Sequence, residues 1–318
     1  MKSNAPRVGV VVLNWHGRET TRTCIEALRA LDYQDCFTVL IDNGCEDFSA
    51  AEVATLLPSA RYLRSDRNLG FTGGSNLGMR EALQAGAQYV WFLNNDAEPE
   101  ADALTELVAT AERDATIGIV GPKILQAKRP ERFDSVAVRV DLRTGRLYLL
   151  GHDEPDRGQY DQLADTVAIT GCAMLVRREI CERLGGFDES YFAYLEDVDL
   201  CLRARAAGFR VVVAPRSRVR HSRAVATGGR QSASSLYYAT RNHLFLMQRH
   251  RGPSLPRTAT ILALNLAYAI RTGTRGSATR LRAVWRGWRD FRGGIVGPGH
   301  PPVEARRRGV CPGAAAAR

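Results

Sequence analysis

The first 125 residues alternate between short β-branched runs and stretches with helical spacing, and no other feature of the chain restricts its fold as much. Val8–Leu13 is an unbroken apolar run, the pattern of a strand buried on both faces. Glu19–Leu31 carries apolar residues at helical spacing at Cys24, Leu28 and Leu31. Phe37–Ile41 reads as a second strand, Ala50–Leu57 as a helix stopped by Pro58, and Arg61–Leu63 as a short third strand. Ser75–Ala85 is a predicted helix ended by Gly86; Tyr89–Leu93 is a fourth strand, Ala101–Glu112 a helix and Ile117–Val120 a fifth strand. Strictly alternating β and α segments predict parallel strands joined by right-handed crossovers, with helices on both faces. The expected class is α/β, with a mostly parallel sheet flanked by helices.

The rest of the chain reads differently. Residues 126–165 are polar and turn-rich, with a hairpin expected around Arg143-Thr144-Gly145-Arg146. Val167–Val176 regains strand character, Asp199–Ala207 is a short helix ended by Gly208, and Arg210–Val213 is a strand ended by Pro215. Beyond about residue 225 the pattern is helical and basic, and from Gly293 the Gly, Pro and Ala content predicts a disordered tail. Four parts follow: residues 1–125, residues 126–225 of the same domain, a basic helical extension over 226–292, and a tail over 293–318. With 318 residues, 45% hydrophobic and 25% charged, the chain can bury a core without disulfides or metal staples. Collagen, a coiled coil and a wholly disordered chain are excluded.

Charge is unevenly divided. Residues 1–200 carry 21 Lys and Arg against 32 Asp and Glu, a net −11; residues 201–318 carry 23 Arg against Asp290 and Glu304, a net +21. A basic region on an acidic body points to an anionic partner, membrane lipid or nucleic acid. No zinc finger, RNA-recognition signature or other nucleic-acid module accompanies the charge, so no nucleic-acid partner is expected. The seven cysteines are odd in number and form no C-x-x-C pair, which suits a reducing cytoplasm better than a disulfide framework. The longest mostly apolar stretch, Thr258–Ile270, is interrupted by Asn265 and falls short of the ~18 residues a spanning helix needs. Leu281, Val284, Trp285, Trp288 and Phe291 share one helical face, with Arg282, Arg286 and Arg289 elsewhere. That is the pattern of a helix lying in a membrane interface, in competition with a helix packed on the protein's own core. The resulting expectation is a peripheral protein on the anionic inner face of the membrane.

In open α/β sheets, ligands lie beyond the carboxyl ends of the strands. The residues found there are Asn14-Trp15 after the first strand, Asp42-Asn43-Gly44 after the second, Asp66-Arg67-Asn68 after the third and Asn94-Asn95-Asp96 after the fourth. Asp42 can accept from a base N–H or ribose hydroxyl, or simply form a turn with Asn43 and Gly44. Asn68-Leu69-Gly70-Phe71-Thr72-Gly73-Gly74-Ser75-Asn76 reads as a Gly-rich loop entering a helix, where backbone can approach a phosphate. Asp96 suits a divalent ion bridging two phosphates, or a helix cap. Further on, Glu196, Asp197 and Asp199 lie within four residues. Neighbouring carboxylates raise one another's pKa, which fits one of them for general-base work; first-turn acids also favour a helix dipole. Asp199 sits four residues before Arg203 and reads as a helix-surface pair. His221 is a candidate metal ligand.

Taken together, Asn14-Trp15, Asp42-Asn43-Gly44, Asn68–Asn76, Leu93-Asn94-Asn95-Asp96, Glu196-Asp197-Val198-Asp199-Leu200 and Tyr237-Tyr238-x-x-Arg241-Asn242 resemble family 2 glycosyltransferases of the GT-A fold, nearest the rhamnosyltransferase-like branch, over about residues 8–245. The resemblance implies inverting transfer from a nucleoside-diphosphate sugar, rhamnose on dTDP being favoured, to a cell-surface glycan or lipid-linked acceptor. It implies that Asp42 contacts the base, that Asn14, Arg67, Asn68, Gly70, Asn76 and Asn95 lie along the nucleotide-sugar, and that Asp96, with His221 as a further ligand, holds Mn2+ or Mg2+ on the diphosphate. Asp197 is the implied catalytic base, with Glu196 beside it. The family's Asp-x-Asp motif stands here as Asn94-Asn95-Asp96, so metal affinity is expected to be weaker. Three other readings compete: a nucleotidyltransferase, which would usually carry a Lys/Arg-rich loop where Asn14-Trp15-His16-Gly17 stands; a nucleotide-sugar-binding protein without turnover; and, least favoured, a nucleic-acid-binding protein.

Overall fold

The computed structural model describes residues 5–162, 165–223, 232–271 and 277–302. Its centre is one sheet in the order β3-β2-β1-β4-β10-β6-β11-β5, with β7 paired to β6. The strands of the first half are β1 (Val8–Asn14), β2 (Cys36–Asn43), β3 (Arg61–Ser65) and β4 (Tyr89–Asn94), all parallel to one another. Between them run α1 (Arg18–Arg29), α2 (Ala50–Leu56) and α3 (Gly70–Gln84). The second half adds β5 (Ala97–Pro99), α4 (Ala103–Ala111), β6 (Ile117–Gln126), β7 (Arg129–Ser135), a separate hairpin of β8 (Ala137–Asp141) and β9 (Arg146–Leu150), β10 (Ala173–Arg177), α5 (Arg178–Leu184), α6 (Glu196–Ala206) and β11 (Arg210–His221).

The expected alternation is present, with β10 as the main departure. It lies antiparallel between β4 and β6, so the sheet is mixed, although β6 and β11 are parallel. The run Val167–Val176 forms a strand only from Ala173. β11 passes through Pro215 to His221, because a register irregularity between Ala214 and Arg218 absorbs the missing N–H. That continuation carries His221 to the active edge. Apolar residues from both faces of the sheet form the core, among them Val11, Ile41 and Phe92 on one side and Val10, Leu40 and Trp91 on the other.

The Gly-rich segment is helix, not loop, from Gly70 onward. Its glycines serve close helix–sheet contact: a Cβ on Gly78 would lie 2.4 Å from Val11 Cγ1, and one on Gly74 would lie 2.3 Å from Leu13 Cδ1. Gly78→Val should therefore destabilise the fold by about 3 kcal/mol through overpacking, read as a lowered Tm. An unchanged Tm would show that α3 can move off the sheet without cost.

The C-terminal part is α7 (Ala233–Arg251), α8 (Leu255–Arg271) and α9 (Ser277–Arg292). α9 packs on α7, burying Ala283 and Val284, with Gly287 against the Tyr237 carbonyl. Trp288 and Phe291 lie against the main core. The face expected to meet a membrane is thus split: Val284, Trp288 and Phe291 pack inward, and Leu281 and Trp285 stay exposed. Residues 293–302, expected within a disordered tail, fold back instead. Gly297 N donates to Ser190 O (2.8 Å), and His300 N donates to Tyr237 Oη (2.9 Å). Residues 303–318 of that tail lie outside the described residues.

Candidate active site

The carboxyl ends of β1, β2 and β4 form one polar edge. Asn14 is fully buried at its centre. Its Nδ2 donates to Asp47 Oδ2 (3.0 Å) and Cys45 Sγ (3.2 Å), and its Oδ1 accepts from Thr21 Oγ1 (2.9 Å). Asn95 Nδ2 joins the same cluster through Thr21 Oγ1 (2.8 Å). Asp42 Oδ1 accepts from Cys45 N (2.9 Å) and Glu46 N (3.2 Å), while Tyr62 Oη reaches Oδ2 (3.3 Å). Burial pushes this carboxyl up, but the N–H and thiol donors of the turn outweigh it and hold the group below the ordinary range. Asn43, read in the sequence only as part of the Asp42-Asn43-Gly44 motif, ties the next loop: its Oδ1 accepts from Leu69 N (2.9 Å), and its Nδ2 donates to Asn68 Oδ1 (3.0 Å) and Gly70 O (3.1 Å). Arg67 is exposed, with its backbone against Gly44.

Gly70 and Asn76 face the second half of the domain. Gly70 has φ +75°, and a Cβ there would lie 2.4 Å from the Phe192 carbonyl oxygen. Asn76 is buried, donating to Phe187 O (2.8 Å) and accepting from Phe187 N (3.0 Å). The start of α3 is therefore the seat of the loop that precedes Glu196.

That loop is strained. Phe192, Tyr194 and Leu195 have φ of +63°, +71° and +71°, costly for side-chain-bearing residues unless the surroundings impose it. α7 imposes it. Asn242 Nδ2 lies within hydrogen-bond reach of the carbonyls of Tyr191 (3.0 Å), Ala193 (2.7 Å) and Tyr194 (2.8 Å), and buried Arg241 donates to Tyr191 O (3.0 Å). The strained turn delivers Glu196 and Asp197 to the first turn of α6. Asp197 is half-buried, its Oδ2 accepting from Gly171 N (2.7 Å) and its Oδ1 from Val198 N (2.7 Å). Glu196 is buried, and its Oε2 has no hydrogen-bond partner among the described residues. Burial, and after it the nearby Asp197, raises the Glu196 pKa well above the ordinary value, so a charge on Glu196 is disfavoured beside Asp197. Asp199 pairs with Arg203 (2.6 Å) as expected, but inside the protein, where His250 Nε2 also meets it (2.9 Å). It is a packing anchor for α6.

At the end of β4, Asp96 Oδ1 faces His221 Nε2 at 3.2 Å. The other imidazole nitrogen, Nδ1, lies 2.9 Å from Asp134 Oδ2, and Arg223 pairs with Asp134 from behind. Burial opposes charge on His221, but Cys172, Asp134 and Asp96 outweigh it and raise its pKa well above the ordinary value. A carboxylate oxygen and an imidazole nitrogen converging from two elements, the imidazole oriented by a second carboxylate, is a donor set that fits a divalent metal. Asp134 on β7 was not visible in the sequence, because nothing in its neighbourhood predicts that it backs a histidine 87 positions away. His221 also borders a cleft of about 470 Å³ lined by Lys128, Arg129, His152 and Arg223. A larger cavity of about 550 Å³ starts at Ile117 and Arg210, the opposite strand ends, and contains no candidate residue.

Gly171 and Cys172 join the two centres. Gly171 N holds Asp197, Cys172 O accepts from Asn94 N (2.8 Å), and the Cys172 thiol adjoins His221. A second group of potential donors, His16, Cys45 and Asp47, has its ligand atoms within 4.8 Å of one another. Burial pushes the Cys45 thiol up to about 12, and Asn14 already donates to both Cys45 and Asp47, so this group is a hydrogen-bonded cluster.

This architecture is that of GT-A glycosyltransferases. A mannosyltransferase from Pyrobaculum calidifontis, solved with GDP-Man and Mn2+, matches over 92% of this chain and 84% of its own with a TM-score of 0.57 and 18% identity. The S. aureus TarS fragment 1–349 with UDP-GlcNAc matches over 91% and 81% with a TM-score of 0.55 and 14% identity. The family model described as "Glycosyltransferase like family 2" matches residues 6–243, and the chain belongs to that family. It is 28% identical over 231 residues to an N-acetylglucosaminyl-diphospho-decaprenol L-rhamnosyltransferase of Mycobacterium tuberculosis, covering 67% of this chain and 75% of that protein. It is 29% identical over 225 residues to the O-antigen biosynthesis protein RfbC of Myxococcus xanthus, 68% of this chain but 17% of that protein. The protein is a glycosyltransferase.

Proposed function

We propose that this glycosyltransferase moves a rhamnosyl residue from a dTDP donor, with inversion, to a glycan acceptor carried on a lipid diphosphate at the inner face of the membrane. The observation that carries the mechanism is the two-residue Gly171-Cys172 link, which keeps the Asp96–His221 pair and Asp197 in one site. The nucleotide lies along the carboxyl ends of β1, β2 and β4, bounded by Asp42, Arg67, Asn68 and Asn95, while Asn14, Gly70 and Asn76 shape that wall from behind. Asp96 and His221 would hold Mn2+ or Mg2+, which supplies charge neutralisation to the diphosphate leaving group. An imidazole ligand favours Mn2+ of the two.

In the transfer, the acceptor hydroxyl oxygen bonds to the anomeric carbon as the bond to the diphosphate oxygen breaks on the opposite face. Asp197 takes the hydroxyl proton. No carboxylate needs to bond to the sugar, so the configuration inverts. The L-rhamnosyltransferase relative motivates the sugar and the lipid-linked acceptor. The test is a panel of nucleotide sugars offered with a short-chain polyprenyl-diphospho-N-acetylglucosamine, the product anomer being read by NMR. Transfer from another donor with none from dTDP-rhamnose would overturn the sugar; a retained anomeric configuration would overturn the mechanism.

The carboxylate behind the His221 ring gives a separate expectation. Asp134→Asn leaves the metal-facing atoms in place but weakens the orientation of the His221 ring, and should lower Mn2+ affinity about 10–100-fold. Titration of Mn2+ followed by EPR reads this without turnover. Wild-type affinity would show that Asp134 serves only Arg223.

A further inference from the structure

α8 has its apolar faces on both sides. Inward, Arg257, Ile261 and Ala269 are buried, Arg257 and Ile261 against Gly145 of the β8–β9 turn. Outward, Leu255, Ala259, Ala263, Leu266, Ala267 and Ile270 recur at helical spacing along one exposed arc, with Leu255 83% and Ile270 63% exposed. No charged residue lies between Arg257 and Arg271. A solvent-facing helix arc is normally polar, and a contiguous apolar one marks an interaction surface. α9, which packs against α8, adds exposed Leu281 and Trp285, the latter 54% exposed with the Arg289 guanidinium over its ring at 5.3 Å.

The occupant follows from charge. From Ala233 to Arg292 the sequence holds eleven Arg and one acid, Asp290. Asp290 is 2% exposed and bonded to Tyr237, His300 and Arg289, so among the described residues of α7, α8 and α9 the exposed charges are cations. A second copy of the chain docking through the same face would bring the same cations to the contact and be repelled. A bilayer rich in anionic lipid offers hydrocarbon to the arc and phosphate to exposed Arg271 and Arg282. None of the described helices is long and apolar enough to cross a membrane.

We propose that the outer arc of α8, with Leu281 and Trp285 of α9, lies in the interface of an anionic bilayer and docks the enzyme there. This deepens the reading of a lipid-linked acceptor and rests on it for its purpose, not for its evidence. It also moves the docking element from the α9 face read in the sequence to α8. The docked helices reach the reaction centre through α7. α9 packs under Tyr237 and Arg241, and Arg241 with Asn242 fixes the strained turn before Asp197. The bilayer-facing element and the base candidate are therefore held by one helix.

The test is flotation of the full-length chain with vesicles of phosphatidylglycerol in phosphatidylcholine, and with phosphatidylcholine alone. The chain should float with the anionic vesicles, less with the neutral ones, and less at high salt. Leu266→Glu/Ile270→Glu, at exposed positions, should retain the wild-type Tm and lose at least about tenfold in partitioning. Arg271→Glu/Arg282→Glu should remove the preference for anionic vesicles. Nucleotide-sugar binding, measured by calorimetry without vesicles, should be unchanged in both variants, so failure of docking is distinguishable from failure of the enzymatic reading. Undiminished flotation of Leu266→Glu/Ile270→Glu, or no flotation of the wild type, overturns the proposal. A solution dimer that this variant dissociates would assign the arc to a second copy and also overturn it.

Discussion

Asp197→Asn should lower turnover by roughly 10²–10⁴-fold, the usual worth of a general base, with donor affinity nearly unchanged. The substituted amide keeps the size of the side chain and leaves its Oδ1 able to accept from a backbone N–H, so the turn from Leu195 into α6 should survive. What is lost is acceptance of the hydroxyl proton, together with one of the two backbone hydrogen bonds, because Oδ2 accepts from Gly171 N and an amide nitrogen there cannot. Glu196→Gln should do less, because burial and the nearby Asp197 already disfavour a charge on Glu196. Asp199→Asn should act differently again: it would break a buried network with Arg203 and His250 and show first as a lowered Tm. Initial rates under saturating donor, beside calorimetric donor binding and thermal unfolding, separate the three. A larger turnover loss in Asp199→Asn than in Asp197→Asn, at equal folded fraction, would move the base to Asp199.

These three carboxylates show how far local pattern reaches. Their spacing placed them together and put Asp199 opposite Arg203, since both facts lie within one turn of helix. Burial separates them into a buried carboxyl of raised pKa, a half-exposed carboxylate and a packing anchor, and burial depends on α7 and on the strained turn, which come from distant sequence. The strands and helices of the first half were legible for the same reason, since each buries a face whose period is written in the chain. Three features were not. β10 runs antiparallel because the chain returns to β4 from an unpredictable direction. The Gly-rich segment is helical because its glycines are read by Val11 and Leu13 of the sheet, not by their chain neighbours. The carboxylate behind His221 comes from β7, which a 3.6- or 2-residue period cannot link to β11. The C-terminal helices repeat the lesson in another form: the Trp-bearing face of α9 was correctly seen as apolar, but α7 takes part of it, and α8 carries the longer exposed apolar arc.

Asp96→Asn should reduce turnover by about 10²–10³-fold at fixed Mn2+, the size of effect seen when one strong electrostatic stabiliser of a developing charge is removed. The argument turns on what surrounds it. Of the three residues that end β4, Asn94 gives its backbone N–H to Cys172, and Asn95 turns its amide toward Thr21 and Asn14. Asp96 alone faces His221. With Asn at the position where the family motif has its first carboxylate, neither Asn94 nor Asn95 can replace the lost charge. The His221 ring remains, so residual Mn2+ binding should persist and partial activity should return as Mn2+ is raised. His221→Ala should lose activity to a comparable degree, and the double variant should lose little more than either single one, because two ligands of one site act as a unit. Additive losses would place Asp96 and His221 in separate roles. An Asp96→Asn enzyme with wild-type turnover and unchanged Mn2+ dependence would remove Asp96 from the site altogether and leave the His221–Asp134 pair as a structural cluster.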